Sequence, residues 1–393
     1  MYSILAADMY KRVLDIANLA KRKSLFLFGP RSTGKTTLIY QQFPGERIIN
    51  LLKSSLFMSL AQNPERLEEM ISAMPYPELP VIIDEIQKLP QLLDEIHYLI
   101  ESKGIHFVLT GSSGRKLKST GVNLLAGRAW QCNLFPLCSA ELGTVDLERY
   151  LLYGGLPQVL TSEAPMEELD AYINTYLKEE IKAEALVQNL VHFSAFLRTA
   201  AISNAQQINY TNISRDTGIP VSSVRGWFEI VMDSFLGFLL EPWRSPKRKS
   251  VATAKFYFFD VGVANFLAGF HQLPRASAEF GRAFEHFIVM ELRAYLSYHR
   301  IKLPLHYWRT RDGLEVDFIV GNDLAVEVKA SDNIQHKDLR GLRALAEEGQ
   351  IKKRVLVCME EQGRLTQDGI LIQHWKDFLM SLWGSREGVA LLQ

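Results

Sequence analysis

Residues 24–43 read SLFLFGPRSTGKTTLIYQQF, and this stretch decides the class of fold. A short apolar strand, Ser24–Phe28, runs into Gly29-Pro30-Arg31-Ser32-Thr33-Gly34-Lys35-Thr36, and helix formers follow from Thr37. The spacing G-x-x-x-x-G-K-[ST] between a strand and a helix is that of a phosphate-binding loop. Gly29 and Gly34 allow the loop to fold tightly around a phosphate with its backbone N–H groups pointing inward. The helix behind it presents unsatisfied N–H groups and a positive dipole end. For ATP, Lys35 would reach the β- and γ-phosphates and the Thr36 hydroxyl would bind Mg²⁺. Gly29 through Thr37 are therefore the candidate nucleotide contacts.

Three further segments extend this reading. Val81-Ile82-Ile83-Asp84-Glu85 is an apolar strand ending in two acids. There Asp84 would hold Mg²⁺, and Glu85 would orient the attacking water. Ile105–Thr110 reads as a strand closing on Gly111-Ser112-Ser113. Its Thr110 and Ser112 are placed to sense the γ-phosphate, between the other two strands. Arg128, in Leu124-Leu125-Ala126-Gly127-Arg128, precedes another apolar run and is the candidate finger for a neighbouring subunit's nucleotide.

The whole chain has 393 residues, and its 44 Lys+Arg balance 44 Asp+Glu. At roughly 100–200 residues per domain, that length suggests two to four domains. Zero net charge argues against a nucleic-acid binder only until it is divided along the chain. Residues 1–138 carry 16 basic and 12 acidic side chains, 139–200 carry 4 and 10, 201–275 carry 8 and 5, and 276–393 carry 16 and 17. An acidic segment thus masks two mildly basic ones. Arg244, Lys247, Arg248, Lys249 and Lys255 face Glu241 alone within 241–258. Cys132, Cys138 and Cys358 show neither a disulfide framework nor zinc spacing, which suggests a reducing, cytoplasmic setting. Residues 1–24 read as an amphipathic helix rather than a leader, and no apolar run approaches a membrane span.

Apolar runs alternating with helical patterns over 1–138 indicate an α/β unit with a parallel sheet. Residues 139–235 are mostly helical in period, and strand-like alternation returns after 300. Candidate boundaries near 140, 195 and 275 give a nucleotide-binding core (1–138), a helical lid (139–195), a helix-turn-helix module (196–275) and a C-terminal α/β domain (276–393).

Within the third segment, QINYTNISRDTGIPVSSVRGWFEIVMD (207–233) pairs a short helix, Thr211–Thr217, with a longer one across Gly218-Ile219-Pro220. Ser222, Ser223 and Arg225 open the second helix, at the end that would enter a DNA groove. The following stretch reads as a wing around a basic turn, with Lys247, Arg248 and Lys249 suited to phosphate contacts. His271 and His286 have no ligand-like partners and read as structural. In the last segment two strand-like runs form a hairpin around Gly321-Asn322-Asp323. Glu327 and Lys329 lie two apart on one strand, so they share a face and can converge with Asp317. With Glu285 upstream as a further carboxylate, this is a nuclease-like D…E-x-K set that could take Mg²⁺.

Together, GPRSTGKTT, VIIDEIQKLP, LTGSS, LLAGRAW, YLLYGGLP (150–157), KFYFFDVGVANFL and EVDFIV…LAVEVKAS make the chain resemble a prokaryotic family of AAA-type ATPases. That family carries a C-terminal domain of unknown function with a restriction-endonuclease-like, PD-(D/E)xK fold. The resemblance spans nearly the whole chain. It implies an AAA+ core with a helical lid, a winged-helix module and the nuclease-like domain. It also implies ATP with Mg²⁺, and a homo-oligomer, a hexameric ring, in which Arg128 acts across the subunit interface. The sensor position offers Thr110 and Ser112 where many such proteins have Asn. The function expected is ATP hydrolysis coupled to engaging or translocating duplex or branched DNA. The rival readings are an ATP-regulated, Mg²⁺-dependent endonuclease and a nucleotide switch that binds a protein partner.

Overall fold

The structure is a computed structural model that describes residues 10–114, 125–177, 189–244 and 252–384. Its first sheet is five-stranded and wholly parallel. It comprises β1 (Ser24–Phe28), β2 (Ile48–Asn50), β3 (Val81–Asp84), β4 (Phe107–Gly111) and β5 (Ala129–Asn133), in the order β2-β3-β4-β1-β5. β1, β3 and β4 are buried along their whole length, as near-continuous apolar runs in a parallel sheet must be. Among the described residues, helix Lys35–Gln42 follows β1 and helix Leu92–Lys103 follows β3. All five strands point the same way, so the ends of β1, β3 and β4 share one carboxyl edge, where ligands bind in open α/β sheets.

The amphipathic helix expected over 1–24 shrinks, within the described residues, to Ile16–Ala20. Asp15 caps it by accepting from the Asn18 amide. The chain before it runs irregularly, and the Val13 amide donates to Glu141 at 2.9 Å. Tertiary hydrogen bonds thus override the helical period.

The second sheet has nine strands. β6 (Gln206–Gln207), β7 (Gly237–Pro242) and β8 (Lys255–Phe258) join β9 (Leu305–Arg309), β10 (Glu315–Val320), β11 (Leu324–Val328), β12 (Lys353–Cys358), β13 (Arg364–Leu365) and β14 (Ile370–His374). The order is β13-β14-β12-β11-β10-β9-β7-β8-β6. β7 pairs in parallel with β9 through Glu241 and Pro242, so segments on both sides of residue 275 share one sheet.

Helices Tyr210–Thr217 and Val221–Asp233 precede the antiparallel pair β7 and β8. Asn209 caps the first by accepting from Asn212, and Gly218 closes it in the left-handed region. Helix Ala278–Tyr298 is the spine of the molecule. It is buried over most of its length, and the polar side chains it encloses, such as His286 and Glu291, are hydrogen-bonded. Its Phe284, Phe287 and Tyr295 lie in one continuous core with Leu25 and Leu27 of β1 and Val326 of β11.

Two of the glycine-bearing motifs interlock beneath this spine. Asp260 accepts from the Gly155 amide at 2.7 Å and caps helix Val261–Ala268 through Val263. A Cβ on Gly262 would lie 2.0 Å from the Tyr153 carbonyl, so only glycine allows the two backbones to touch.

Candidate nucleotide site at the carboxyl edge of the parallel sheet

The phosphate loop leaves β1 at Gly29, where a Cβ would lie 2.5 Å from the Leu134 carbonyl oxygen. It turns through Ser32 and Gly34, both at positive φ, and enters helix Lys35–Gln42. Thr33 is buried and donates from its hydroxyl to the Pro30 carbonyl at 2.9 Å. Lys35 is buried too, and its ammonium donates to the carbonyls of Gly29 and Pro30 at 2.8 Å each. Thr36 is exposed at the head of the helix, beside Thr37, while Arg31 is exposed on the loop itself.

The sequence-predicted residues of the other strands converge here. Asp84 is fully buried at the end of β3. Its Oδ2 accepts from the Thr36 hydroxyl at 3.2 Å and the Asn50 amide at 3.3 Å, and its Oδ1 accepts from the Thr110 hydroxyl at 2.6 Å. Burial raises the Asp84 carboxyl above its ordinary range, and the bonds from Thr110 and Thr36 pull it part of the way back. β4 lies between β1 and β3, so Thr110 stands where the sensor position was expected. Glu85 occupies the left-handed region at φ +67°, an uncommon backbone for a non-glycine residue and one that clusters at functional sites. The Glu85 amide donates to the Thr110 hydroxyl at 2.9 Å, which fixes that turn.

Sequence reasoning missed Gln87. Its side-chain amide donates to the Glu85 carboxylate at 2.5 Å and to the Ser112 hydroxyl at 3.0 Å, tying the second acid of β3 to the end of β4. The signal was present inside VIIDEIQKLP, two residues past Glu85, but the apolar flanks alone do not say that the chain turns back. Asn50 and Arg12 were missed as well. Arg12 donates to the Thr33 carbonyl at 3.1 Å and to the Tyr298 hydroxyl at 3.1 Å, joining the loop to the spine helix. Arg128 stands at the amino end of β5, at the sheet edge opposite the phosphate loop. There it forms an exposed ion pair with Glu101.

One hydroxyl and one carboxylate side by side, Thr36 and Asp84, suit a magnesium ion that shares its remaining positions with phosphate and water. No group of three or more His, Cys, Asp or Glu is arranged to hold a metal ion among the described residues. A nucleotide-borne Mg²⁺ does not require one.

The nuclease-like residues also converge, with an occupant that the sequence did not disclose. The β10–β11 register sets Asp317 opposite Glu327, and a bulge between Val316 and Ile319 against β9 re-aims this part of β10. Asp317 accepts from the Val328 amide at 2.8 Å, and Lys329 pairs with Glu327 at 2.5 Å. Lys255 of β8, counted above with the basic turn, is buried instead. Its ammonium lies 3.0 Å from Glu285, 2.6 Å from Glu315 and 3.9 Å from Asp317. Tyr257 donates to Glu285 at 2.6 Å. Burial alone would lower the Lys255 ammonium, but Glu285 and its neighbours outweigh it and raise it well above its ordinary value. Burial likewise lifts the Glu327 carboxyl, and Asp317 adds to the effect.

At the helix pair, Ser222 and Arg225 are exposed and Ser223 is half-buried. The Arg225 guanidinium lies over the Tyr210 ring at 4.6 Å. Lys247, Arg248 and Lys249 lie outside the described residues, as does part of the proposed lid (178–188). His286 is fully buried; it donates from Nε2 to the Phe258 carbonyl and accepts at Nδ1 from Asn204.

A parallel sheet with a phosphate loop on one strand and buried acids on another defines a P-loop nucleotide-binding domain. Residues 21–143 match the family described as AAA domain. Residues 144–273 match a domain of unknown function (DUF8612), and residues 280–377 match another (DUF4143). The chain is 25% identical over 320 residues to an uncharacterized protein of Mycobacterium tuberculosis and to one of Mycobacterium bovis, spanning 78% of this chain and 70% of each relative. Among solved structures, it matches a signal-transduction ATPase with numerous domains and a tetratricopeptide-repeat sensor from Pyrococcus horikoshii. That match has 13% identity and a TM-score of 0.20, covers 72% of this chain, and spans 46% of the other's length. No helix among the described residues is long and apolar enough to cross a membrane.

Proposed function

We propose that the chain binds ATP with Mg²⁺ at the phosphate loop, hydrolyses it, and couples the hydrolysis to DNA held by the helix pair and the hairpin behind it. One observation carries the catalytic half. Thr36, Asp84, Thr110, Glu85, Gln87 and Ser112 form one hydrogen-bonded set beside Lys35 at the carboxyl edge of the sheet. In this reading Lys35 neutralises phosphate charge, and Thr36 and Asp84 supply oxygen ligands for the metal. A Mg²⁺ held there would supply positive charge to offset that developing on the β- and γ-phosphates. Glu85, held by Gln87, orients the water. Little covalent chemistry is required of the protein, so positioning accounts for most of the effect.

The DNA half rests on the exposed start of helix Val221–Asp233, followed by a hairpin with a basic connecting segment, the arrangement read as a winged helix. Ser222, Ser223 and Arg225 would meet the groove, and Lys247, Arg248 and Lys249 the phosphates. A ring of subunits, six in the family's pattern, would bring Arg128 to a neighbour's nucleotide once it leaves Glu101.

ATP turnover measured with and without duplex and branched DNA at low salt tests both halves. Wild type turns over ATP and is stimulated by DNA, Lys35→Ala binds no ATP, and Glu85→Gln binds ATP without turnover. Turnover without any DNA binding would remove the DNA half. Charge reversal at Lys247, Arg248 and Lys249 should lower the salt slope of DNA binding by about one unit per lost contact.

A further inference from the structure

We propose that Lys255 is an internal cation that occupies the nuclease-like carboxylate cluster. The C-terminal sheet of the wild-type chain then takes no divalent ion there and holds the hairpin β7–β8 in place instead. The ammonium stands among Glu285 of the spine helix and Glu315 and Asp317 of β10, at 3.0, 2.6 and 3.9 Å. Three carboxylates thus share one cation, and a side chain from another segment supplies it. The Tyr307 ring closes a further side, 5.3 Å from the ammonium. Arg309 neutralises the far oxygen of Glu315 at 3.0 Å, and Lys329 that of Glu327 at 2.5 Å. Glu327 is 5% exposed, and its second oxygen, Oε2, is buried without a hydrogen-bond partner. That oxygen is a buried acceptor left unpaired beside Asp317.

Buried charges persist only when paired, so removing the lysine leaves the carboxylates to find another cation. In full-length, nucleotide-free protein, Mn²⁺ binding is followed by the electron paramagnetic resonance of the free ion. Wild type and Asp317→Asn are expected to give the same isotherm, because the cluster takes no metal. Lys255→Met is expected to bind one additional Mn²⁺, at least tenfold tighter than any site in wild type, and to lose it in the double variant with Asp317→Asn. Added Mn²⁺ should raise the melting temperature of Lys255→Met and not that of wild type. Lys255→Gln serves if the methionine variant does not fold. The proposal is overturned if wild type binds Mn²⁺ in a way that Asp317→Asn abolishes, if wild type cleaves plasmid DNA with Mg²⁺ or Mn²⁺, or if the folded Lys255 variant gains no ion. None of these readouts depends on ATP turnover, so the inference and the ATPase reading can fail separately.

Discussion

Single side chains set the chemistry at the carboxyl edge, and Gln87 is the one whose role separates most cleanly from binding. It touches the Glu85 carboxylate and Ser112 rather than the phosphate loop. Gln87→Leu should therefore lower kcat for ATP about tenfold, or ~1.4 kcal/mol of barrier, with KM unchanged. Steady-state turnover checks it, and a rise in KM at constant kcat would instead place Gln87 in nucleotide binding. His286 gives a test of acid stability. Burial pushes its imidazole down to about 3, and both ring nitrogens are already used, one as donor and one as acceptor. As pH falls below the ordinary value near 6.5, the unfolded chain takes a proton that the folded chain refuses. Stability is thus fully present above about pH 6.5 and is lost progressively toward pH 3. Between pH 7 and pH 5 this one group should cost about 2 kcal/mol. Urea midpoints for wild type and His286→Gln at the two pH values should differ by that increment, and equal losses would show that His286 contributes none of it.

At the scale of elements, the contact between helices Leu147–Tyr153 and Val261–Ala268 is set by backbone approach. Gly262→Ala would drive a methyl into the Tyr153 carbonyl, and should cost about 2–3 kcal/mol, read as a lowered urea midpoint. An unchanged midpoint would mean that the two helices slide apart freely. This contact also explains two of the stretches that carried the family resemblance: YLLYGGLP and KFYFFDVGVANFL meet through Gly155, Asp260 and Gly262. The phosphate loop and β3 were legible in the sequence because their residues are contiguous and their apolar flanks fix both strands. The Asp317–Glu327–Lys329 set was legible because strand alternation and a tight turn determine a register. Lys255 was not legible as part of that set, because 60 residues separate it from Glu315 and a lysine near a basic run reads as solvated. Glu315, one alternation before Asp317, could have been included on period alone.

At the scale of the whole molecule, the segments read along the chain share packing. Charge and period suggest segments with boundaries near 140, 195 and 275, yet apolar residues do not announce which partner they will meet. Leu25 and Leu27 of the first sheet share a core with Phe284, Phe287 and Val326, and the second sheet runs through residues on both sides of 275. A shared core predicts shared fate. Urea unfolding followed by far-UV circular dichroism and by tryptophan fluorescence should give one coincident transition, and two separated midpoints would show independent units. The spine helix gives this continuity a direction. Near its end, Tyr298 bonds to Arg12, which holds the Thr33 carbonyl of the phosphate loop. Thirteen residues earlier, Glu285 grips Lys255. At 1.5 Å per residue those two grips are about 20 Å apart on a single rod. One unbroken helix thus joins the support of the phosphate loop to the carboxylate cluster.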